Sequence, residues 1–569
     1  MEKNKINLKI ILQIVFFIFV FNTSQAKNPE KYYTGYNISK YFSGIISYSD
    51  NDYSSSYKHL KALKGLEDIH SSYPELYLYS LVNLDRIKEA YLFARKLENR
   101  KLENFESNLV IGVYYLKNKK YYLADKYFKK LIKQKNERQT LRGLLSISIN
   151  NWVSFLKIDK KQALELTNNL PKNLTNLKRI QDVFIHCFYE SPETIIKFET
   201  LVSDQKNDFS RYYFFYINYL NNFEDENKAI EKINYALKSY PRNLMLNQLK
   251  EDLISKNVEN MSNQFNCKDV SHVLAEIFYI NSNILTSQSI YSLSNFYLSL
   301  GKYLNPNFIS YDAFQAENFY MIDKLTEAKK RYNKVLRSGS FYKWHASRRI
   351  ASILLEEDKG EEALKTISNA YKKIVNPNIN EIFDYAVFLK NNEKFEESIE
   401  EYNKVLKLID KQHYLYPKAS EGRGVSYERI GQWKKAEKDL LNSLEVLPDQ
   451  AYVINYLAYS WVEKGINIDK SLQMLEKANN LKENDGYIID SLGWALFKLK
   501  KYDESKKYLE MAIKIMPSDP VVNDHYGDSL WMNNEEIQAR YYWNYAFNSE
   551  KAEKKLKETI KRKLIFGLE

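Results

Sequence analysis

Apolar positions between residues 487 and 517 recur at steps of three and four in two runs, interrupted at Lys500 and Lys501. Leu492 and Leu496 mark the first run, and Tyr502, Leu509 and Ala512 the second. Such steps place one stripe along a helix, so the pattern predicts two amphipathic helices, with Pro517 closing the second. Small residues fall at Gly493, Ser505 and Ala512, where large ones would hold two helices apart. The reading is a helical hairpin with a close internal contact.

The hairpin repeats. Gly493 to Gly527 and Ala512 to Ala546 are both 34 residues, and Trp543 and Ala539 fall on the same grid. Further back the grid passes through Ala458 and Ala478, Gly424 and Ala436, Ala386, Ala351 and Ala316. Ser56, Ala90 and Ala124 carry the 34-residue step near the N-terminus, while residues 141–310 follow it loosely. A fixed period of this length means stacked hairpins, each burying its face against the next. The pattern resembles the tetratricopeptide repeat. The expectation is an all-α protein, a right-handed superhelical solenoid of antiparallel helix pairs. Residues 27–140 read as N-terminal repeats, 141–310 as divergent helical repeats, 311–549 as the C-terminal array and 550–569 as a capping helix with Ala552, Leu556, Ile560 and Leu564 on its apolar stripe. About 11 to 14 hairpins are expected from this count.

Composition agrees and excludes two classes. With 16 Gly and 11 Pro in 569 residues the chain lacks the turn residues of a large all-β protein, and 44% hydrophobic with 15% aromatic residues is enough to bury a core. The net charge of +12 comes from 84 basic and 72 acidic residues. The charges alternate at helical spacing, as at Glu226, Lys228, Glu231 and Lys232, which describes solvated faces rather than a one-sided basic stripe. No nucleic-acid partner is expected.

The first 26 residues read as an export signal. Lys3, Lys5 and Lys9 precede an apolar run at 10–21, and Ser24 and Ala26 are small at the positions a signal peptidase reads. The expectation is cleavage after Ala26 and a periplasmic protein with no stable transmembrane span in the mature chain; the alternative is membrane anchoring by an uncleaved leader. Cys187 and Cys267 are the two cysteines of the chain. A bridge between them is allowed in an oxidising compartment, and the sequence leaves the pairing open.

No catalytic or metal constellation stands out, and neither an enzyme nor a cofactor is expected: the seven histidines fall in no metal-ligand spacing, and no phosphate loop or nucleophile elbow occurs. What the repeats offer is a concave surface lined by first helices. Its positions in the last repeats carry Asn455 and Tyr459, then Tyr487, Asp490 and Trp494, then Asp524, Asp528 and Trp531. Aromatic, acidic and amide groups together suit an extended peptide, whose backbone needs hydrogen bonds and whose apolar side chains need flat contacts. These eight residues are the candidate protein-binding site. For each aromatic, packing between repeats is the competing role.

The stretches 455–462, 487–494 and 521–528 resemble a family of exported tetratricopeptide-repeat proteins of alphaproteobacteria, over about residue 35 to the C-terminus. The C-terminal pattern is also similar to an outer-membrane lipoprotein family that acts as adaptor for a carboxy-terminal processing protease, although this chain has no lipid-attachment cysteine near the leader. The first resemblance implies a non-enzymatic scaffold whose partners are envelope proteins or an extended peptide segment, serving envelope assembly or turnover. The second implies delivery of substrates to a periplasmic protease.

Overall fold

The computed structural model describes residues 34–63, 65–67, 70, 72–131, 140–171, 174–256 and 264–568. The leader read at residues 1–26 lies outside them. Among the described residues there are thirty α-helices and no strand. The chain divides into two compact units between Ile353 and Leu354, inside the helix Ser340–Glu356.

The second unit follows the repeat period directly. Five helix pairs run from Ile379–Asn391 with Phe395–Leu408 to Pro520–Met532 with Glu536–Asn548, and the helix Lys554–Phe566 caps the array. The small positions do what their spacing implies. A Cβ on Gly493 would stand 2.7 Å from Leu509 Cγ, and one on Gly527 would stand 2.5 Å from Trp543 Cδ1. Ser505 Oγ donates to the Gly493 carbonyl at 2.8 Å, so the small residue of the second helix also satisfies its hydrogen bond inside the contact.

A second periodicity appears at the turns between paired helices. Lys500 and Asn534, 34 residues apart, both adopt left-handed backbone, as do Asn51, Asp85 and Lys119 at the same step. The amide after each closes the helix end: Lys501 N–H donates to Leu496 O and Glu535 N–H to Leu530 O, both at 2.9 Å. Residue type hides this repeat, because Asn, Asp and Lys all occupy it.

The first unit departs from a linear stack. In a simple solenoid each repeat touches only its neighbours. Here the helix Tyr291–Leu304 packs against the first repeats, with hydrogen bonds to residues 187 and 244 positions away in the chain. Ser292 Oγ donates to Tyr48 Oη at 2.8 Å, Tyr79 and Phe296 rings lie 4.7 Å apart, and Lys117 Nζ donates to Leu304 O at 2.8 Å. Buried Arg331 spans Asp85 at 2.8 Å and Asp312 at 3.2 Å. A helix enclosed in this way is buried around most of its circumference, from Ser294 to Gly301, which erases the one-sided stripe that carries the repeat signal. Cys187 and Cys267, 80 residues apart, are joined by a disulfide with a Cα–Cα distance of 6.0 Å, in the same unit.

Candidate functional site

The first helices of the last three repeats, Ala451–Glu463, Gly486–Lys498 and Pro520–Met532, lie side by side and present the eight sequence-derived residues. The structure sorts them by depth. Tyr487 is 61% exposed, while Asn455, Tyr459 and Trp531 are half-buried. Asp490, Trp494, Asp524 and Asp528 are buried.

The buried four are joined by residues that the repeat positions did not single out. Asp490 places both carboxylate oxygens 3.0 Å from Nδ1 of His525. The His525 ring stacks on Trp494 at 4.0 Å with an interplanar angle of 11°, and Trp494 stacks on Phe497 at 4.9 Å. Trp494 Nε1 donates to Glu463 Oε1 at 2.5 Å. One repeat further, Lys563 of the capping helix donates to Asp524 at 2.8 and 2.9 Å and to Asp528 at 2.7 Å. Trp543 Nε1 donates to Asp528 at 2.8 Å, and the Trp543 ring lies 5.3 Å from Trp531. Asp490 and Asp524 therefore have partners provided by residues 35 and 39 positions later.

Electrostatics follow from this enclosure. Burial works against a charged His525, but Asp490 first, then Asp524 and Asp528, outweigh it and raise its pKa above the ordinary histidine value. Burial and then the neighbouring Asp524 push the Asp528 carboxyl up to about 6, against the pull of Lys563 and His525. Burial opposes the charge on Lys563 too, and Asp528 and Asp524 more than restore it. Tyr459 is held above the ordinary tyrosine range by burial and then by Glu463, Asp490 and Asp524.

Asn455 stands apart. Its Oδ1 is buried and has no hydrogen-bond partner among the described residues. A carbonyl oxygen in that state is an acceptor left without a donor, which costs free energy in the folded chain.

His525 lies 35 residues after Asp490, one residue beyond the repeat step, so repeat arithmetic brings the two onto neighbouring helices without marking the pair. Lys563 carries no periodic signal at all, because the cap lies outside the repeat grid.

With this geometry in view, comparisons with known proteins place the array. Residues 489–519 match the tetratricopeptide repeat. The TPR repeat-containing protein PA4667 of Pseudomonas aeruginosa is 26% identical over 184 residues, which is 32% of this chain and 30% of that protein; the chain thus spans under a third of this relative's length. Among solved structures, a tetratricopeptide repeat protein from Parabacteroides merdae is similar at 17% identity and a TM-score of 0.37, over 44% of this chain and 97% of that one. YrrB, described as a TPR protein with an unusual peptide-binding site, is similar at 18% identity and a TM-score of 0.27, over 32% and 92% of the two chains. The C-terminal array is a stack of helix pairs, and the pair at residues 489–519 is the one that matches the tetratricopeptide repeat. The whole described chain is all-helical, as the period of its apolar positions requires.

Proposed function

We propose that this chain is a non-enzymatic scaffold or adaptor, exported to the periplasm, that binds an extended segment of an envelope protein across the first helices of its last repeats. The observation that carries the reading is the exposed ring of Tyr487 with half-buried Asn455, Tyr459 and Trp531 on the first helices of the last three repeats. An extended backbone needs side-chain hydrogen bonds of the kind an amide such as Asn455 makes, and the tyrosines give its side chains flat, rigid contact. Behind them the Asp490–His525 and Asp524–Asp528–Lys563 groups act as a floor. Their charges are satisfied within the chain, so the floor orders the aromatic residues instead of competing for the partner. Export is supported by the leader-like pattern at residues 1–26 and by the Cys187–Cys267 bridge, which belongs to an oxidising compartment.

The test replaces Tyr487 with a photo-crosslinking residue in cells and repeats the experiment at Ile537, an exposed residue of a second helix. A specific envelope protein crosslinked from Tyr487 and lost in Asn455→Ala is the expected result. The same products from both positions, or none from either, would overturn the reading. Cell fractionation with N-terminal sequencing checks export: a periplasmic chain beginning at Lys27 is expected, and a cytoplasmic chain that retains Met1 contradicts it.

A further inference from the structure

The capping helix Lys554–Phe566 turns one side to the last repeat and the other to solvent. Ile560 and Lys563 are buried on the inner side, while Lys554, Lys555, Lys561 and Arg562 are exposed on the outer one. Glu558 is the one acid within the helix, and it is exposed beside them. Among the described residues the ion pairs of this helix are those of Lys563 with Asp524 and Asp528, so the four outer cations face water. Elsewhere in the chain acids and bases alternate along helix faces; here one sign prevails.

The same outer face ends in two large apolar side chains. Ile565 is 60% exposed and Phe566 69%. This end of the helix is held in place: Arg540 of the neighbouring helix donates to the Leu564 carbonyl, and Gly567, at a φ of +80°, lies where a Cβ would meet the Trp531 ring. The fold therefore keeps both side chains in water at a fixed place, against the hydrophobic effect.

A groove of about 450 Å³ runs along this face. Lys555, Glu558 and Arg562 line it, and so do Phe566 and Leu568. Phe566 follows Arg562 by about one helical turn, so a cation and an apolar side chain adjoin in one groove. An amphiphile, with an anionic group and a hydrocarbon part, meets both. A nucleic acid would use the cations and leave Ile565 and Phe566 in water, and a second copy of the face would set like charges together.

We propose that the outer face of the capping helix docks on the surface of a bilayer that contains anionic phospholipid. The headgroup phosphates meet Lys554, Lys555, Lys561 and Arg562, and Ile565 and Phe566 enter the boundary between headgroups and acyl chains. These residues are distinct from the concave positions of the peptide-binding reading, so either can fail without the other.

Co-sedimentation with vesicles tests it, on the chain that begins at Lys27 so that the apolar run at 10–21 takes no part. Vesicles of equal parts phosphatidylglycerol and phosphatidylcholine should bind roughly tenfold or more tightly than phosphatidylcholine alone, and rising salt should weaken the binding. Lys561→Gln with Arg562→Gln should lower the affinity roughly tenfold. Ile565→Ser with Phe566→Ser should lower it as well, with the helical circular dichroism unchanged. Lys561→Arg with Arg562→Lys keeps the charge and should bind as the native chain does. Equal binding to the two kinds of vesicle, no binding to either, or binding that ignores both the glutamine and the serine pair would overturn the proposal. Retention on single-stranded DNA but not on vesicles would overturn it in favour of a nucleic acid.

Discussion

His525 Nδ1 stands 3.0 Å from both carboxylate oxygens of Asp490, while the His525 ring stacks on Trp494 at 4.0 Å. One imidazole thus ties two concave-face positions of one repeat to the first helix of the next. Its charge state sets how firmly they are held.

Stability of the second unit should rise as pH falls from 8 to 6. His525 has a raised folded pKa, so its contribution is complete below the ordinary value near 6.5 and is lost as pH climbs through the folded value. Asp528 acts in the same direction: its carboxyl is pushed up to about 6 from the ordinary aspartate range, so its ionisation is a cost that is largest above pH 6. Hydrogen exchange of the helices Gly486–Lys498 and Pro520–Met532 across this range reads the effect. In Asp490→Asn the part carried by His525 should disappear; greater protection at pH 8 than at pH 6 in the native chain would contradict the assignment.

Lys563→Met leaves Asp524 and Asp528 buried with their shared cation gone. Breaking one side of a buried ion pair costs about 3–5 kcal/mol, and urea unfolding followed at Trp543 should show a loss of that order. Adding Asp524→Asn and Asp528→Asn removes the stranded charges and should recover most of it. Failure of the triple variant to recover would mean that Lys563 acts chiefly through the packing of its stem.

Gly527→Ala should destabilise the last repeat by about 1–3 kcal/mol, because the new methyl meets the Trp543 ring and the carbonyl of Ala539 at once. By contrast, Lys500→Gly should stabilise by about 1 kcal/mol, since the lysine holds a left-handed backbone that glycine adopts without a Cβ penalty. Thermal unfolding of the two single variants against the native chain distinguishes a packing position from a turn position.

Reduction should weaken the first unit selectively. The 80-residue separation of Cys187 and Cys267 gives an upper estimate of roughly 4.5 kcal/mol from chain entropy. Hydrogen exchange with and without dithiothreitol should show faster exchange in the helices Thr175–Phe188 and Val270–Ser287, matched by the Cys187→Ser, Cys267→Ser double variant. Unchanged exchange under reduction would show that the bridge adds nothing to the unit's stability.

Much of the second unit is legible in the sequence. Gly493 and Gly527 mark the close contacts because only a missing side chain lets Leu509 and Trp543 reach the facing helix. The concave positions are legible as positions, but not their depth: Tyr487 and Asp490 are three residues apart on one helix, and one is 61% exposed while the other is 6% exposed. Depth depends on what the following repeat and the cap place over each residue. His525 and Lys563 provide that cover, and neither stands at a position the period singles out. In the first unit even the element boundaries are harder to read, since the helix Tyr291–Leu304 is buried by both near and distant helices.

By itself, then, the sequence determined the helix pairs, their 34-residue step and the small residues at their contacts, while the last helix starts at Lys554 and leaves Ala552 ahead of it. These rest on steps of three and four within one helix and on contact between adjacent hairpins, which are local along the chain. The tertiary structure alone decided that Ser292 meets Tyr48, that Cys187 bonds Cys267, and that three acids on the first helices of the last repeats find His525 and Lys563. The reason is physical: an apolar stripe needs any apolar neighbour, whereas a buried carboxylate or thiol needs one particular partner, and only the folded chain brings that partner within reach.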